Sequence, residues 1–209
     1  WVKTYNGTGN FDDNGIKILF DGQNGIYAAG YSFGSGTGYD FILLKYDLNG
    51  SFIWGKRWNG VSNSDDYLKS AVMTSDGSIV LAGHSYKTGE SNNYAIIKYN
   101  SSGDFLWEKF YNGPISADDQ ITDLETDNAG NIFVCGKSEG GVGAGYDYAV
   151  LKLNADGDQQ WVYRYNGVTL SDDAATGISL DAGGNVFVTG YSYSPSSFYD
   201  FATVKLNPS

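Results

Sequence analysis

Short apolar runs alternate with polar, glycine-rich segments along the whole chain. One class of run is rich in β-branched residues and ends in glycine, at 26–30, 79–83, 132–136 and 186–190. A second class ends in lysine, at 41–45, 94–98, 148–152 and 201–205. Because no segment keeps the 3.6-residue apolar spacing of an amphipathic helix, the pattern predicts strands and no helix longer than one turn.

A fourfold internal repeat organises these runs. A tryptophan followed six residues later by glycine marks each unit, at Trp1, Trp54, Trp107 and Trp161. Paired aspartates keep the same period, at 12–13, 65–66, 118–119 and 172–173. A fixed period of this length is typical of repeat architectures, in which each repeat is one supersecondary unit.

Each unit contains four strand-like runs. Besides the two classes above, one less regular run follows the aspartate pair (Ile16–Phe20 in the first unit) and one carries the tryptophan (Phe52–Trp58). Tight-turn sequences such as Asn24-Gly25 separate the first run from the second. A four-strand meander of about 50 residues has the size of a propeller blade. The sequence therefore predicts an all-β fold, a β-propeller of four four-stranded antiparallel blades, as one domain over residues 1–209.

The phase of the repeat predicts how the ring closes. The units are about 8–60, 61–113, 114–167 and 168–209 plus 1–7, so a fourth-strand run opens the chain and none follows the last unit. Pairing of Trp1–Gly7 with Phe201–Leu206 would close the ring and cover two edges. Alternatively, Trp1–Gly7 completes the last blade of a neighbouring copy, which links copies by strand exchange.

Composition narrows the possible partners. With 24 acidic and 13 basic residues the net charge is −11, which disfavours nucleic acid and anionic membrane surfaces. No apolar stretch approaches the roughly 20 residues of a membrane span, so we expect no membrane insertion. The single cysteine, Cys135, cannot form an internal disulfide and is expected to be a small buried side chain. A chain that begins at Trp1 is expected to be a mature or excised piece of a longer protein.

The third unit resembles a known repeat. The segments Gly136-Lys-Ser, Gly145-Tyr-Asp-Tyr-Ala-Val-Leu-Lys-Leu-Asn154, Trp161, Asn166-Gly167 and Asp172-Asp173, in that order, are similar to the bacterial beta-propeller repeat family called SBBP repeats. The similarity extends over essentially the whole chain. It implies a secreted or cell-surface protein of bacterial origin. The family has no agreed activity, so the resemblance implies no catalytic residues.

The aspartate pairs are the first candidate site. Their second members are Asp13, Asp66, Asp119 and Asp173. They precede the first strand of each blade, which is expected to lie nearest the propeller axis, on the same face as the variable loops between second and third strands. Eight carboxylates there could hold a Ca²⁺-like cation. The favoured alternative is structural: one aspartate per blade accepts backbone N–H groups and holds its loop, and no cofactor is required.

The variable loops supply the second candidate site. Their candidate binding residues are Tyr39, His84, Tyr86, Tyr146 and Tyr193. The tyrosines could stack on sugars or pack against a protein. His84, the only histidine, is expected to be exposed and has no recurring nucleophile with which to form a triad. A further series is expected to form ion pairs with the repeated lysines or aspartate pairs, or to cap turns: Asp40, Asn93, Asp147 and Asp200.

These patterns favour a secreted, non-enzymatic binding or scaffold module that presents its variable loops to a protein or carbohydrate at the cell surface. One alternative is a structural subunit of a fibre or surface layer, self-assembled by strand exchange. A secreted hydrolase or lyase is a weaker alternative, because no asymmetric cluster of acid, base and nucleophile stands out.

Overall fold

The computed structural model describes residues 1–207, which contain fifteen strands. These are β1 (Asp13–Phe20), β2 (Gly25–Gly34), β3 (Gly38–Asp47), β4 (Phe52–Trp58), β5 (Asp66–Met73), β6 (Ile79–Lys87), β7 (Ser91–Tyr99), β8 (Phe105–Tyr111), β9 (Asp119–Thr126), β10 (Ile132–Glu139), β11 (Tyr146–Leu153), β12 (Gln159–Tyr165), β13 (Asp173–Leu180), β14 (Val186–Ser194) and β15 (Phe198–Leu206). That part of the chain includes no helix that is long and apolar enough to cross a membrane.

The strands form four antiparallel meanders in chain order. Blade 1 is β1–β4, blade 2 is β5–β8, blade 3 is β9–β12, and blade 4 is β13–β15, with three strands. The first strands contact one another in succession, β1 with β5, β5 with β9 and β9 with β13, as the innermost strands of a propeller do. The predicted all-β propeller of four antiparallel blades is confirmed.

Local sequence explains the short turns between strands. In the β3–β4 turn, the Asp47 carboxylate accepts the backbone N–H groups of Asn49 and Ser51 at 2.9 and 2.7 Å. Gly50 adopts a positive φ of 77°, which a side chain would disfavour. The equivalent turns after β7 and β11 use Asn100 and Asn154 in the same way.

Every first strand carries a β-bulge that the sequence pattern did not predict. The register shifts between Gly15 and Lys17 in β1, and the equivalent shift recurs in β5, β9 and β13. A bulge adds one residue to one strand and increases the local twist. The bulges therefore strengthen the twist of each blade at its innermost strand.

The hydrophobic cores lie between blades. Between blades 1 and 2, Tyr27, Phe41 and Leu43 pack against Leu81 and Ile97, and all five side chains are fully buried. Equivalent clusters fill the spaces between blades 2 and 3 and between blades 3 and 4. Since the middle strands of blades 2 and 3 are covered on both faces, their sequences are nearly continuous apolar runs.

The predicted closure of the ring is not observed. Within residues 1–207, Trp1–Gly7 forms no strand, and β15 has only β14 as a partner. Trp1 instead donates its indole N–H to the carbonyl oxygen of Leu48 at 2.9 Å, and its ring contacts Tyr46. The segment thus lies against blade 1 and leaves the outer edge of β15 open.

The reason lies in the packing between blades. Within the described chain, β13 contacts β9, and no comparable contact joins β13 to β1. The three interfaces between successive blades set the rotation from each blade to the next, and that rotation does not bring blade 4 back to blade 1. The four blades therefore form an open arc.

Candidate functional site

The second aspartate of each pair holds its own loop. In every blade its carboxylate accepts the backbone N–H of the glycine six residues earlier, at 2.9 Å from Gly7 to Asp13, 2.7 Å from Gly60 to Asp66, 2.8 Å from Gly113 to Asp119 and 2.7 Å from Gly167 to Asp173. A Cβ atom on Gly60 would lie 2.3 Å from the hydroxyl of Ser85, so only glycine fits there. These hydrogen bonds give the four aspartates the structural role that the sequence favoured.

Burial shifts the titration of these carboxyl groups. Burial raises the pKa of Asp66 to about 7, against the opposing effects of the Ser85 hydroxyl and the Gly60 N–H. The pKa of Asp119 is also raised, again mainly by burial. A carboxyl group whose pKa is raised in the folded protein binds its proton more tightly there than in the unfolded chain.

The raised pKa of Asp66 predicts how stability depends on pH. Because the folded state binds the proton more tightly, the stabilising contribution is complete below the unfolded pKa near 4 and is lost as the pH rises to about 7. Asp66→Asn removes the titration but keeps an acceptor oxygen for Gly60. We expect the free energy of unfolding of wild type, measured with urea, to fall between pH 5 and pH 8. The fall should be on the order of 3 kcal/mol larger than that of Asp66→Asn.

Asp156→Asn is the matched control, because Asp156 is an exposed aspartate in the β11–β12 turn. Its free energy of unfolding should depend on pH in the same way as that of wild type. An equal pH dependence of Asp66→Asn and wild type would show that Asp66 does not titrate in this range.

In blades 2, 3 and 4 the first aspartate of the pair accepts a hydrogen bond from the preceding blade. Asp65 accepts the backbone N–H of Tyr39 in the preceding blade at 3.0 Å, and Asp172 accepts that of Tyr146 at 3.1 Å. The aspartate loops and the variable loops therefore lie on one face, as predicted, which we call the loop face. The predicted convergence of eight carboxylates on the axis is not observed, since these hydrogen bonds hold them at separate loops. In residues 1–207 no three His, Cys, Asp or Glu side chains are grouped to hold a metal ion.

Two arginines have a role that sequence reasoning missed. Arg57 on β4 bonds to the buried carboxylate of Asp40 at 2.6 Å, and Arg164 on β12 bonds to that of Asp147 at 2.8 Å. Arg164 also donates to the carbonyl oxygen of Ser138 at 2.9 Å, so each pair connects an outer strand to the β2-type strand. The ion-pair partner of Asp40 and of Asp147 is therefore an arginine. The sequence analysis had expected the repeated lysines or the aspartate pairs.

A signal for these pairs was present in the sequence. Where the arginine is replaced in blade 2 by Phe110, the carboxylate is replaced by Asn93. A buried carboxylate without a cation is costly, so blade 2 lacks both charged side chains.

An aromatic cluster extends along the loop face from blade 1 into blade 2. We call it the loop-face aromatic cluster, and its members are Phe11, Tyr31, Phe33, Tyr39 and Tyr67. Adjacent ring centres lie 4.7 Å (Phe11–Phe33), 5.3 Å (Phe33–Tyr39), 5.5 Å (Tyr31–Tyr39) and 5.3 Å (Tyr39–Tyr67) apart. The Tyr67 hydroxyl donates to the Asp65 carboxylate at 3.1 Å, and burial, followed by the charge of Asp65, raises the pKa of Tyr67 to about 12.

The sequence analysis expected His84 to be exposed, but the side chain is buried. Only 5% of its surface is accessible, because it lies inside β6 with its ring 5.7 Å from that of Tyr67. Burial, and then the charge of Lys69, lowers the pKa of His84 to about 4. Its imidazole is therefore neutral at pH 7 and extends the aromatic cluster beneath the surface.

A shallow cavity of about 510 Å³ adjoins the cluster between blades 1 and 2. Its lining includes Asn63, Asp65, Tyr67, Tyr86 and Asn92. Tyr86 is 39% exposed, and its backbone N–H bonds to the carbonyl oxygen of Asp65 at 3.3 Å, so β6 holds it at the rim. The cavity combines two tyrosine rings with amide and carboxylate side chains.

The remaining predicted tyrosines lie elsewhere on the loop face. Tyr146 in blade 3 donates to Asp118 at 3.1 Å and lies under the ammonium group of Lys137, 4.0 Å from the ring centre. Tyr193 in blade 4 contacts the ring of Tyr199 at 5.4 Å. The structure therefore brings Tyr39, Tyr86 and the ring of His84 to one region and separates the other two from it.

Comparisons with known proteins agree with the fold. Residues 74–105 match a family described as a beta-propeller domain of unknown function, DUF5122. No curated protein matches the chain. The chain is similar in structure to the beta-propeller domain of the Trilobed protease from Pyrococcus furiosus, described as having an open velcro topology, with 9% identity, a TM-score of 0.50, and coverage of 88% of this chain and 51% of that one.

A second similar structure is puromycin hydrolase, with 14% identity, a TM-score of 0.50, and coverage of 89% of this chain and 26% of that one. The chain thus spans about half the length of the first structure and a quarter of the second. At these identities the similarity concerns the fold alone, which supports the β-propeller.

Proposed function

We propose that this protein is a non-enzymatic extracellular binding module, of the SBBP-repeat type, whose loop face binds carbohydrate between blades 1 and 2. The observation that carries this proposal is the loop-face aromatic cluster beside the polar cavity at Tyr86. The resemblance to SBBP repeats supports the extracellular location.

The cluster departs from the internal repeat at Phe11 and Tyr67, whereas blade 4 repeats its other members as Tyr191, Tyr193 and Tyr199. The position of Phe11 is occupied in the other blades by Ser64, Ala117 and Ser171. The position of the buried Phe41, by contrast, is aromatic in all four units. Packing between blades accounts for the repeated aromatic residues of the core but not for an exposed Phe11, so the region around Phe11 and Tyr67 is the best candidate for ligand contact.

The chemistry of this region favours a sugar. A tyrosine ring offers an apolar face and a hydroxyl group, which complements the C–H face and the hydroxyl rim of a pyranose. Asn63, Asn92 and Asp65 place amide and carboxylate groups around the same cavity. The net charge of −11 disfavours a nucleic-acid ligand.

The state of the acidic residues supports a non-enzymatic role. Glycoside hydrolysis uses two carboxyl groups that act on the substrate. Here Asp66 accepts a backbone N–H, and Asp65 accepts the N–H of Tyr39 and the hydroxyl of Tyr67. These carboxylates are thus committed to holding loops.

Substitution of Tyr86 tests the binding proposal. In a glycan array followed by titration calorimetry, we expect wild type to retain neutral glycans and Tyr86→Ala to bind at least about tenfold more weakly, from the loss of one stacking ring. Phe11→Ala should weaken binding as well. Phe105→Ala is the matched control, because Phe105 is an exposed aromatic residue on the outer strand β8 and should leave binding unchanged.

Three results would contradict the proposal. Retention of no glycan while a protein partner is captured through Tyr86 would favour protein recognition. Equal weakening by Phe105→Ala would show that the loss is not specific to the loop face. Cleavage of the bound glycans, abolished by a single Asp→Asn change, would favour the hydrolase or lyase alternative.

A further inference from the structure

Blade 4 exposes the face that every other blade buries. The position of Phe41 is fully buried in blades 1 to 3, as Phe41, Tyr94 and Tyr148, but its equivalent Phe201 is 96% exposed. The neighbouring positions on the same face are also exposed, at Phe187, Thr189 and Thr203. We call the surface formed by these four side chains of β14 and β15 the trailing face.

Blade 1 has the complementary face, which is exposed at Ile18 and buried at Leu44 and Tyr46. Between blades 1 and 2, Tyr27, Phe41 and Leu43 pack against a surface of blade 2 formed by Ala71, Ile79, Leu81, Ile97 and Tyr99. The equivalent surface of blade 1, which we call the leading face, consists of Ile18, Ile26, Ala28, Leu44 and Tyr46. All five line an open, mainly apolar cavity of about 300 Å³.

The segment Trp1–Gly7 is already in place on that cavity. Trp107 on the outer strand of blade 2 donates its indole N–H to the carbonyl oxygen of Ala155 in blade 3 at 3.3 Å. Trp1 makes the equivalent bond to Leu48 of blade 1, and Tyr5 packs beside Tyr46. Trp1–Gly7 therefore occupies the position of the outer strand of a preceding blade, while the strands that would precede it there are absent from the described chain.

We propose that the trailing face of one copy of this chain binds the leading face of a second copy, with Trp1–Gly7 of the second copy pairing with β15 of the first. The interface repeats the one formed three times inside the chain. Because each copy carries both faces, two head-to-tail contacts join two copies into an eight-bladed ring, within the four to eight blades usual for propellers. This assembly is independent of the carbohydrate ligand proposed above.

The internal blades specify the register of the new strand pair. Phe41 lies opposite Trp58 and Lys45 opposite Trp54, and blade 3 repeats this with Tyr148 opposite Tyr165 and Lys152 opposite Trp161. By equivalence, Phe201 lies opposite Tyr5, Thr203 opposite Lys3 and Lys205 opposite Trp1. Main-chain hydrogen bonds then cover the open edge of β15, which is a known mode of strand addition.

A polar contact completes the match. Asp65 and Asp172 each accept a backbone N–H from the start of the third strand in the preceding blade. The equivalent donor in blade 4 is the N–H of Tyr199, and the equivalent acceptor in blade 1 is Asp12, which is exposed. The two groups therefore meet across the proposed interface.

Molar mass measured by light scattering after size exclusion tests the assembly. We expect wild type to have twice the chain mass of 22.6 kDa over a wide range of concentrations. Phe201→Asp and Ile18→Asp should each yield monomers, and both should stay folded because the replaced side chains are 96% and 70% exposed. Val142→Asp, at a fully exposed apolar position in the β10–β11 loop, is the matched control and should remain dimeric.

Mixing the two monomeric variants separates this interface from any symmetric one. Phe201→Asp keeps an intact leading face and Ile18→Asp keeps an intact trailing face, so an equimolar mixture should form a dimer. Failure of the mixture to associate, or a wild type that is monomeric at every concentration, would overturn the proposal.

A cysteine pair distinguishes binding between copies from closure within one chain. In the variant Lys3→Cys/Thr203→Cys, we expect oxidation to give a covalent dimer on a non-reducing gel. Cys135 should not interfere, since it is buried and burial raises the pKa of its thiol to about 12. A disulfide formed within a monomer would show that Trp1–Gly7 closes its own ring and would overturn the proposal. If wild type forms a polymer that Phe201→Asp abolishes, the contact between trailing and leading faces is supported, but the two-copy ring is wrong.

Discussion

Replacement of Gly83 by alanine is expected to prevent the chain from folding. A Cβ atom there would lie 2.1 Å from the carbonyl oxygen of Tyr67, 2.7 Å from the ring of Phe41 and 2.9 Å from the Cα atom of Leu68. Two of these three atoms belong to the backbone of the innermost strand of the same blade, which cannot move aside without breaking the sheet. We expect a loss of at least about 4 kcal/mol in the free energy of unfolding.

Gly177→Ala is the matched control for this prediction. Gly177 also lies in a strand, but the atom nearest to a Cβ added there would be the methyl carbon of Thr189, at an ordinary 3.9 Å. The free energy of unfolding of Gly177→Ala, measured with urea and circular dichroism, should therefore lie within about 1 kcal/mol of that of wild type. Equal urea midpoints for Gly83→Ala and Gly177→Ala would show that the close approach at Gly83 is not required.

Removal of Arg164 is expected to have the second largest effect. Its guanidinium group is the cation that accompanies the buried carboxylate of Asp147, and it also bonds to the hydroxyl of Ser138 at 2.6 Å. Since burial already raises the pKa of Asp147 against the opposing effect of Arg164, loss of the arginine leaves a buried charge uncompensated. For Arg164→Phe we expect the free energy of unfolding to fall by about 3 kcal/mol at pH 7.

Blade 2 supplies the compensating variant. There the same two positions hold Asn93 and Phe110. The double variant Asp147→Asn/Arg164→Phe removes both charges and should recover more than half of the stability that Arg164→Phe loses. A double-mutant cycle measured by urea unfolding tests this, and strictly additive losses would show that the two side chains are not coupled.

The blades were predictable because short β-branched apolar runs and turn chemistry are local properties. The run Phe52–Trp58 was predicted as a strand and is β4 with the same bounds. Asp47 and Gly50 likewise mark a turn whose hydrogen bonds the structure contains. A structural role for the aspartates was favoured in the same way, whereas the glycine whose N–H Asp66 accepts was identified only by the structure.

The candidate binding region was less accessible to sequence reasoning. Tyr39 and Tyr86 were recognised as loop residues, but Phe11, Phe33 and Tyr67 were not, although Phe33 and Tyr39 are in ring contact at 5.3 Å. The contacts of Tyr67 with Tyr31 and Tyr39 depend on how blade 2 packs against blade 1, and no repeat spacing encodes those distances. His84 lies opposite Tyr67 in the β5–β6 pair, with the two rings 5.7 Å apart.

By itself, the sequence determined the number of blades, the order of strands within a blade and the short turns, because each of these follows from contacts between residues close in the chain. Only the tertiary structure decided that Trp1–Gly7 lies on blade 1 and that Phe201 is exposed. These features depend on the rotation between successive blades, which is the sum of many side-chain contacts across three interfaces. A repeat of nearly identical length is compatible with a closed ring and with an open arc, and only packing distinguishes them.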